Sequence, residues 1–282
     1  MLILTPASAE SAWKAICVLV ERAYSEYGTR YVCIDTETEP KDGAPVDDAL
    51  IYGRALLKVT SLAVFGQSFS FPTNRLSPSF PTAAFWRDAL LAKVWQKSEE
   101  EGWVVVCHNS NYDLNIFYTE LGLPIPKKLW CTMIGAWAAS PYIEKGLKSR
   151  AYRYGRVLTE TKHIDFSNLR KLADYAEQDV VQTEELFLAQ HGIRFTRSPS
   201  VFPLVHPKAS YKPWRIEQLL DDAEPLLLPA NPIVPVDETL SPYMAEWVPR
   251  VELPVLRSTV RAERRGFPFI LNRLRSIREK VN

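Results

Sequence analysis

Apolar and polar positions alternate along this chain with two different periods, and the switches between them mark its elements. From Ser8 to Gly28 the apolar residues recur every three or four positions, at Trp13, Ile16, Cys17, Val20, Tyr24 and Tyr27. That spacing predicts a helix capped at Ser8 or Ser11 and closed by Gly28. YVCID at 31–35 follows as a strand. The runs LLKVTSLAVF and SFSFPTN flank Gly66-Gln67, a Gly-X pair that predicts a hairpin with a type II′ turn. Pro81 to Gly102 reads as a helix with Phe85, Ala89, Leu91, Val94 and Trp95 inward. WVVVC at 103–107 is apolar at every position, as a strand covered on both faces requires.

The second half continues in the same way. HNSNYDLNIFYTELG predicts a helix capped by Asn109 or Ser110 and ended by Gly122, and 128–140 reads as helical throughout. Residues 145–156 are basic and aromatic, with Lys145, Lys148, Arg150, Tyr152, Arg153, Tyr154 and Arg156, and are assigned only as helix and loop. Such a run is a solvated face or one wall of a strand-binding groove. From Ser167, a helix carries Leu169, Leu172, Ala176, Val180, Thr183 and Phe187 on its apolar side before Gly192. Eleven of the 21 prolines then fall between Pro199 and Pro254, which marks an extended connector and a boundary. A last amphipathic helix begins near Val251. Strands and helices mixed in this order, with a hairpin ahead of a buried strand, argue for an α/β architecture with a mixed central β-sheet flanked by helices.

Composition changes this picture little. The 282 residues, 46% hydrophobic, suffice for one large or two modest domains. The net charge of +1 hides a basic end: from Arg250 onward 9 Lys or Arg face 3 Glu, leaving 25 basic and 30 acidic residues before it. Cys17, Cys33, Cys107 and Cys131 have no C-x-x-C spacing, which suits free thiols in a reducing compartment better than a disulfide frame or a thiolate zinc site. No apolar run is long enough to span a membrane, and the N-terminus lacks the pattern of a signal peptide, so a cytoplasmic protein without a membrane partner is expected.

The chemistry begins at the end of the first long strand, YVCIDTETEP. Strand alternation puts Asp35 and Glu37 on one face, where two like charges repel unless a cation sits between them. Tyr175 and Asp179, four apart, share a face of the later helix. Asp113 falls in the first turn of the helix after the buried strand. Taken singly, each has an ordinary reading: a solvated acidic turn, a core tyrosine beside a solvated aspartate, and common capping. Taken in order, strand-end D-x-E, strand-to-helix N-x-x-Y-D and helical Y-x-x-x-D converge.

CIDTETE, CHNSNYDLNIFYTELG and YAEQDVVQTEEL resemble the three exonuclease motifs of the DEDDy superfamily, in particular those of the 3′-to-5′ proofreading domain of family A DNA polymerases. The likeness spans about residues 30–190, and Asp174 and Tyr175 at the third motif place it in the tyrosine branch rather than the histidine branch. The segment VELPVLRSTVRAERRGFPFILNRLRSIREKV is similar to the helix that opens the polymerase module in those enzymes.

The resemblance implies an RNase H-like (DnaQ-like) exonuclease fold over 1–192, a Pro-rich connector over 193–250, and the start of a polymerase-type module over 251–282, without polymerase activity of its own. It implies a 3′-to-5′ exonuclease acting on the single-stranded or frayed 3′ end of DNA, with two Mg2+ or Mn2+ ions. Asp35, Glu37 and Asp179 would hold the ion that activates water; Asp35 would bridge to a second ion supported by Asp113, and Tyr175 would orient the water. Asn109 and Tyr112, with His108 beside them, stand at positions that contact the last nucleotide. A polymerase module in cis or in trans is the implied partner. Pro40-Lys41 stand where the family tends to place an apolar wedge, and the segment between the second and third motifs is shorter than in bacterial polymerases. Two other readings compete: an exoribonuclease resembling RNase D, with the same four acids and tyrosine, and a non-catalytic domain that positions nucleic acid.

Overall fold

A computed structural model describes residues 2–41, 55–140, 144–153, 168–193 and 240–265. Six strands form one sheet: β1 (Leu2–Ile3), β2 (Tyr31–Pro40), β3 (Ala55–Val64), β4 (Gln67–Pro72), β5 (Val104–Cys107) and β6 (Leu129–Cys131), in the order β1-β4-β3-β2-β5-β6. β3 runs antiparallel to β2 and β4, whereas β5 pairs parallel with β2 and with β6, and β1 pairs parallel with β4. The sheet is therefore mixed, with β3 as the reversed strand. From β4 through β3, β2 and β5 to β6, this is the strand order of the RNase H-like fold.

Both faces of the sheet are covered. Tyr31 of β2 turns its hydroxyl to Glu184 Oε1 at 2.8 Å and its ring to Phe187, both on α7 (Leu169–Gln190). The alternate residues Thr36 and Thr38 meet α4 (Ser110–Leu121) on the other face. α1 (Ala9–Tyr27) packs with Ile16, Leu19 and Val20 buried, and Gly28, at φ 72°, ends it by donating to Tyr24 O at 2.8 Å. That left-handed cap is where glycine is needed.

Several elements differ from the sequence expectation, each for a local reason. The hairpin turn is Phe65-Gly66, one residue earlier than expected, because Val64 pairs with Gln67. Phe65 and Gly66 have φ 45° and 82°, so the turn is type I′ rather than II′. Tertiary contacts hold Phe65 in that conformation: its ring lies 5.5 Å from Tyr27, its N–H donates to Tyr31 Oη, and Gly66 N–H donates to Glu184 Oε1 at 3.1 Å.

The stretch 128–140 is a three-residue strand, β6, followed by α5 (Thr132–Ala139). Three residues are too few for a period, and the pairing of Val106 with Trp130 decides the matter. The helix expected from Pro81 to Gly102 is α2 (Ala83–Trp86), a π turn (Arg87–Leu91) and α3 (Ala92–Glu100), capped by Thr82. The long helix α7 is capped by Asn168, which accepts from Lys171 N–H at 3.1 Å, rather than by Ser167. Within the basic stretch, α6 covers Leu147–Arg153.

Most of the connector, 194–239, lies outside the described residues, as do 154–167 and 266–282. The last helical segment starts earlier than Val251: α8 (Pro242–Trp247) passes through a π turn (Val248–Glu252) into α9 (Leu253–Arg265). Leu240, Val248, Leu253 and Val260 are buried in the same core as the sheet, and Arg257 donates to Pro126 O at 2.8 Å.

Candidate active site

Two strand ends create the site. β2 pairs with β5 only from Tyr31 to Cys33, so Asp35 and Glu37 extend beyond the point where β5 has turned away into α4. The turn is made by Asn109 at φ 53° and ψ 50°, a left-handed conformation that asparagine tolerates better than most residues. It places Asp113 in the first turn of α4, beside the end of β2 that β5 leaves unpaired. There Thr36 Oγ1 donates to Asp113 Oδ1 at 2.7 Å.

α7 brings the other half of the site to the opposite face. Single ligand atoms of Asp35, Glu37 and Asp179 lie within 4.8 Å of one another. Asp113 is outside that trio but within electrostatic reach of it: after burial, its charge is the largest cause that raises the Asp35 pKa well above the usual carboxylate range, ahead of Glu37 and Asp179. Burial also leads at Glu37, again pushed well up, with Asp179 and then Asp113 adding to it and Lys148 opposing them. Asp113 is pushed up to about 7 by burial, against hydrogen bonds from Thr36 and from its own backbone. Four acids from β2, α4 and α7 thus share one electrostatic field.

Hard oxygen donors in this number, each costly to ionise alone, are the donor set of a divalent cation such as Mg2+ or Mn2+. Asp35, Glu37 and Asp179 have the geometry to share one ion.

Tyr175, one helical turn before Asp179, is buried, and its hydroxyl accepts from Lys148 Nζ at 3.2 Å. Tyr112 lies against Thr38, with 2.5 Å between the two hydroxyl oxygens, and burial is the main cause that raises its phenol to about 12. Asn109 is exposed at the mouth of the turn. His108 Nδ1 is 2.9 Å from Thr132 Oγ1. Burial lowers its pKa to about 4, with the Lys145 backbone opposing and Arg150 assisting. It is a neutral imidazole at the junction of β5, α5 and α6.

Three contributors escaped the sequence reading. Thr36 and Thr38 alternate with the acids of DTETE, and that alternation was the available signal for residues facing α4. Lys148 was visible only as one of several cations in a basic run.

No family model matches the chain, and no curated protein does. Solved structures do resemble it. Brucella melitensis NrnC is 18% identical, the match covering 57% of this chain and 72% of that one with a TM-score of 0.43. The catalytic core of RRP6 from Trypanosoma brucei is 14% identical, with 80% of this chain and 48% of that one covered and a TM-score of 0.45. Escherichia coli RNase D, described as an exoribonuclease involved in structured RNA processing, is 20% identical, with 67% and 46% covered and a TM-score of 0.44.

Proposed function

We propose that the chain is a metal-dependent 3′-to-5′ exonuclease that removes single nucleotides from the 3′ end of a frayed or single-stranded DNA. The observation that carries this reading is the meeting of Asp35, Glu37 and Asp179 within 4.8 Å, with Asp113 in the same field. Bound divalent cations would supply the Lewis acidity for attack of water on the terminal phosphorus and for departure of the 3′ oxygen. Asp35, Glu37 and Asp179 would hold one cation, and Asp35 with Asp113 would support a second. The Tyr175 hydroxyl orients the attacking water. The phosphorus–oxygen bond to the penultimate sugar breaks, the released 3′ oxygen takes up a proton, and a 5′-mononucleotide leaves. Asn109 at the mouth and Tyr112 beside it stand by the terminal nucleotide, where an aromatic face and phosphate contacts bind single strands with little sequence preference.

DNA as the polymer and an editing role beside a polymerase are supported by the motif resemblance and by the similarity of the C-terminal segment to a polymerase entrance helix. Matched 5′-labelled DNA and RNA oligonucleotides, incubated with Mg2+, Mn2+ or chelator, test the reading. Stepwise shortening from the 3′ end, lost with chelator and in Asp35→Ala combined with Glu37→Ala, is expected. Faster loss of RNA would replace DNA as the substrate, and cleavage that survives the double substitution would remove the site.

A further inference from the structure

Lys148 is bonded to the site through its tyrosine. Its Nζ is 3.2 Å from Tyr175 Oη, within hydrogen-bond range, and 4.9 Å from the centre of the Tyr175 ring. An ammonium group has three protons and no lone pair, so in this contact the phenol oxygen can only accept. The phenol's own proton must then point away from Lys148. Tyr175 shares a helix face with Asp179, one turn further on, and packs against Val59, whose partner across the sheet is Glu37.

The element that carries Lys148 is itself fastened from behind. Successive residues of a helix are about 100° apart, so Lys148 and Arg150 project to nearly opposite sides of α6. Arg150 is fully buried and donates to Glu144 O at 2.7 Å, Ala136 O at 3.0 Å and Ser140 O at 3.1 Å. The last two carbonyls belong to the C-terminal end of α5, where a cation is favoured. A buried guanidinium with these three acceptors among the described residues holds α6 against α5 and leaves Lys148 aimed at α7.

We propose that Lys148 is a positioning residue, which holds the Tyr175 hydroxyl as a hydrogen-bond donor toward the water that attacks the terminal phosphate. The inference rests on the exonuclease reading for the identity of that water, and on the contact itself for the direction of the proton. Its consequence is a division of effects. Loss of Lys148 slows the chemical step and leaves binding of the strand nearly unchanged, because Tyr175 stays in place while its hydroxyl proton loses its direction.

The test is a cycle of Lys148→Met, Tyr175→Phe and the double variant in the full chain, with Lys148→Arg as the conservative control. Lys148→Met should lower kcat about tenfold or more, the worth of one hydrogen bond to a charged group, with KM within about twofold. In a Tyr175→Phe background it should add less than about twofold, since residues that act as one unit are not additive. Lys148→Arg should recover most of the rate. Costs that multiply in full, or a loss confined to KM, overturn the inference. Lys148→Gln is measured beside Lys148→Met, and melting curves confirm that the variants compared are folded.

A second readout needs no cleavage. With 3-fluorotyrosine at position 175, the 19F resonance of the metal-free protein should move in Lys148→Met and stay in place in the remote Lys127→Met. No movement in Lys148→Met overturns the contact. Absence of cleavage in the wild type would instead overturn the exonuclease reading, and the fluorine measurement would still decide the Lys148 contact.

Discussion

Thr36 donates its hydroxyl to Asp113 at 2.7 Å, joining β2 to the first turn of α4 across 77 positions of sequence. This bond lets an acid from the helix on one face of the sheet stand beside acids that belong to the other face. Thr36→Val keeps the shape and removes the donor, so Asp113 loses the Thr36 hydroxyl while remaining buried. A cost of about 1–3 kcal/mol in urea unfolding of the metal-free protein is expected, with Thr36→Ser close to wild type. Equal stability of the Val and Ser variants would show that the bond does not matter.

Stability and metal binding should respond to pH in linked ways. Below about pH 4, Asp35, Glu37 and Asp113 carry protons in both folded and unfolded chains and contribute no difference. Because their folded pKa values are raised, to about 7 for Asp113, stability falls as pH climbs through that range in the absence of metal. His108 acts in the other direction: with its pKa lowered to about 4, it costs stability as pH falls from its ordinary value toward that figure. A divalent ion needs the carboxylates ionised, so its stabilisation grows with pH. Calorimetry should show a larger Mg2+-induced rise in Tm at about pH 8 than at about pH 5.5, and equal shifts would refute the coupling.

Neutral replacement of one acid should separate stability from function. In Asp35→Asn the repulsion from Asp113, Glu37 and Asp179 disappears. The metal-free variant should melt higher than wild type, as is common where sites store destabilising charge. Cleavage should fall roughly a thousandfold or more, since the metal contributes several kcal/mol to the transition state. A variant both less stable and fully active would contradict the assignment.

At the hairpin, two effects oppose each other at Phe65. Its φ of 45° costs about 1–2 kcal/mol in a residue with a β-carbon, and glycine would relieve that. Phe65 is only 7% exposed and its ring packs on Tyr27, and truncation of such a phenylalanine costs about 3–5 kcal/mol. Burial outweighs the backbone strain. Phe65→Gly should therefore destabilise the protein, by about 1–3 kcal/mol in urea unfolding, and a stabilised variant would show that the strain dominates.

The long elements were legible because their periods repeat often enough to be seen. α1, α4 and α7 each show several turns of apolar spacing, and VVVC could only be a strand covered on both sides. The elements that were missed are short: β1 has two residues and β6 has three, and pairing with β4 and β5 is what makes them strands. The turn at Phe65-Gly66 was misplaced by one residue because glycine suits either register, and the contacts of Phe65 with Tyr27 and Tyr31 select between them.

By itself, the sequence determined which candidate side chains stand together locally. Asp35 and Glu37 share a face through strand alternation, Tyr175 and Asp179 through the helical repeat, and both relations are local and fixed by backbone geometry. Only the tertiary structure decided how these pairs meet. The early end of β5, the left-handed turn at Asn109, and the bond from Thr36 to Asp113 bring the helix of one face to the acids of the other. The tie from Lys148 to Tyr175 likewise spans 27 positions, and it exists because a buried Arg150 docks α6 on α5. Contacts of that kind depend on packing between elements, which no local period encodes.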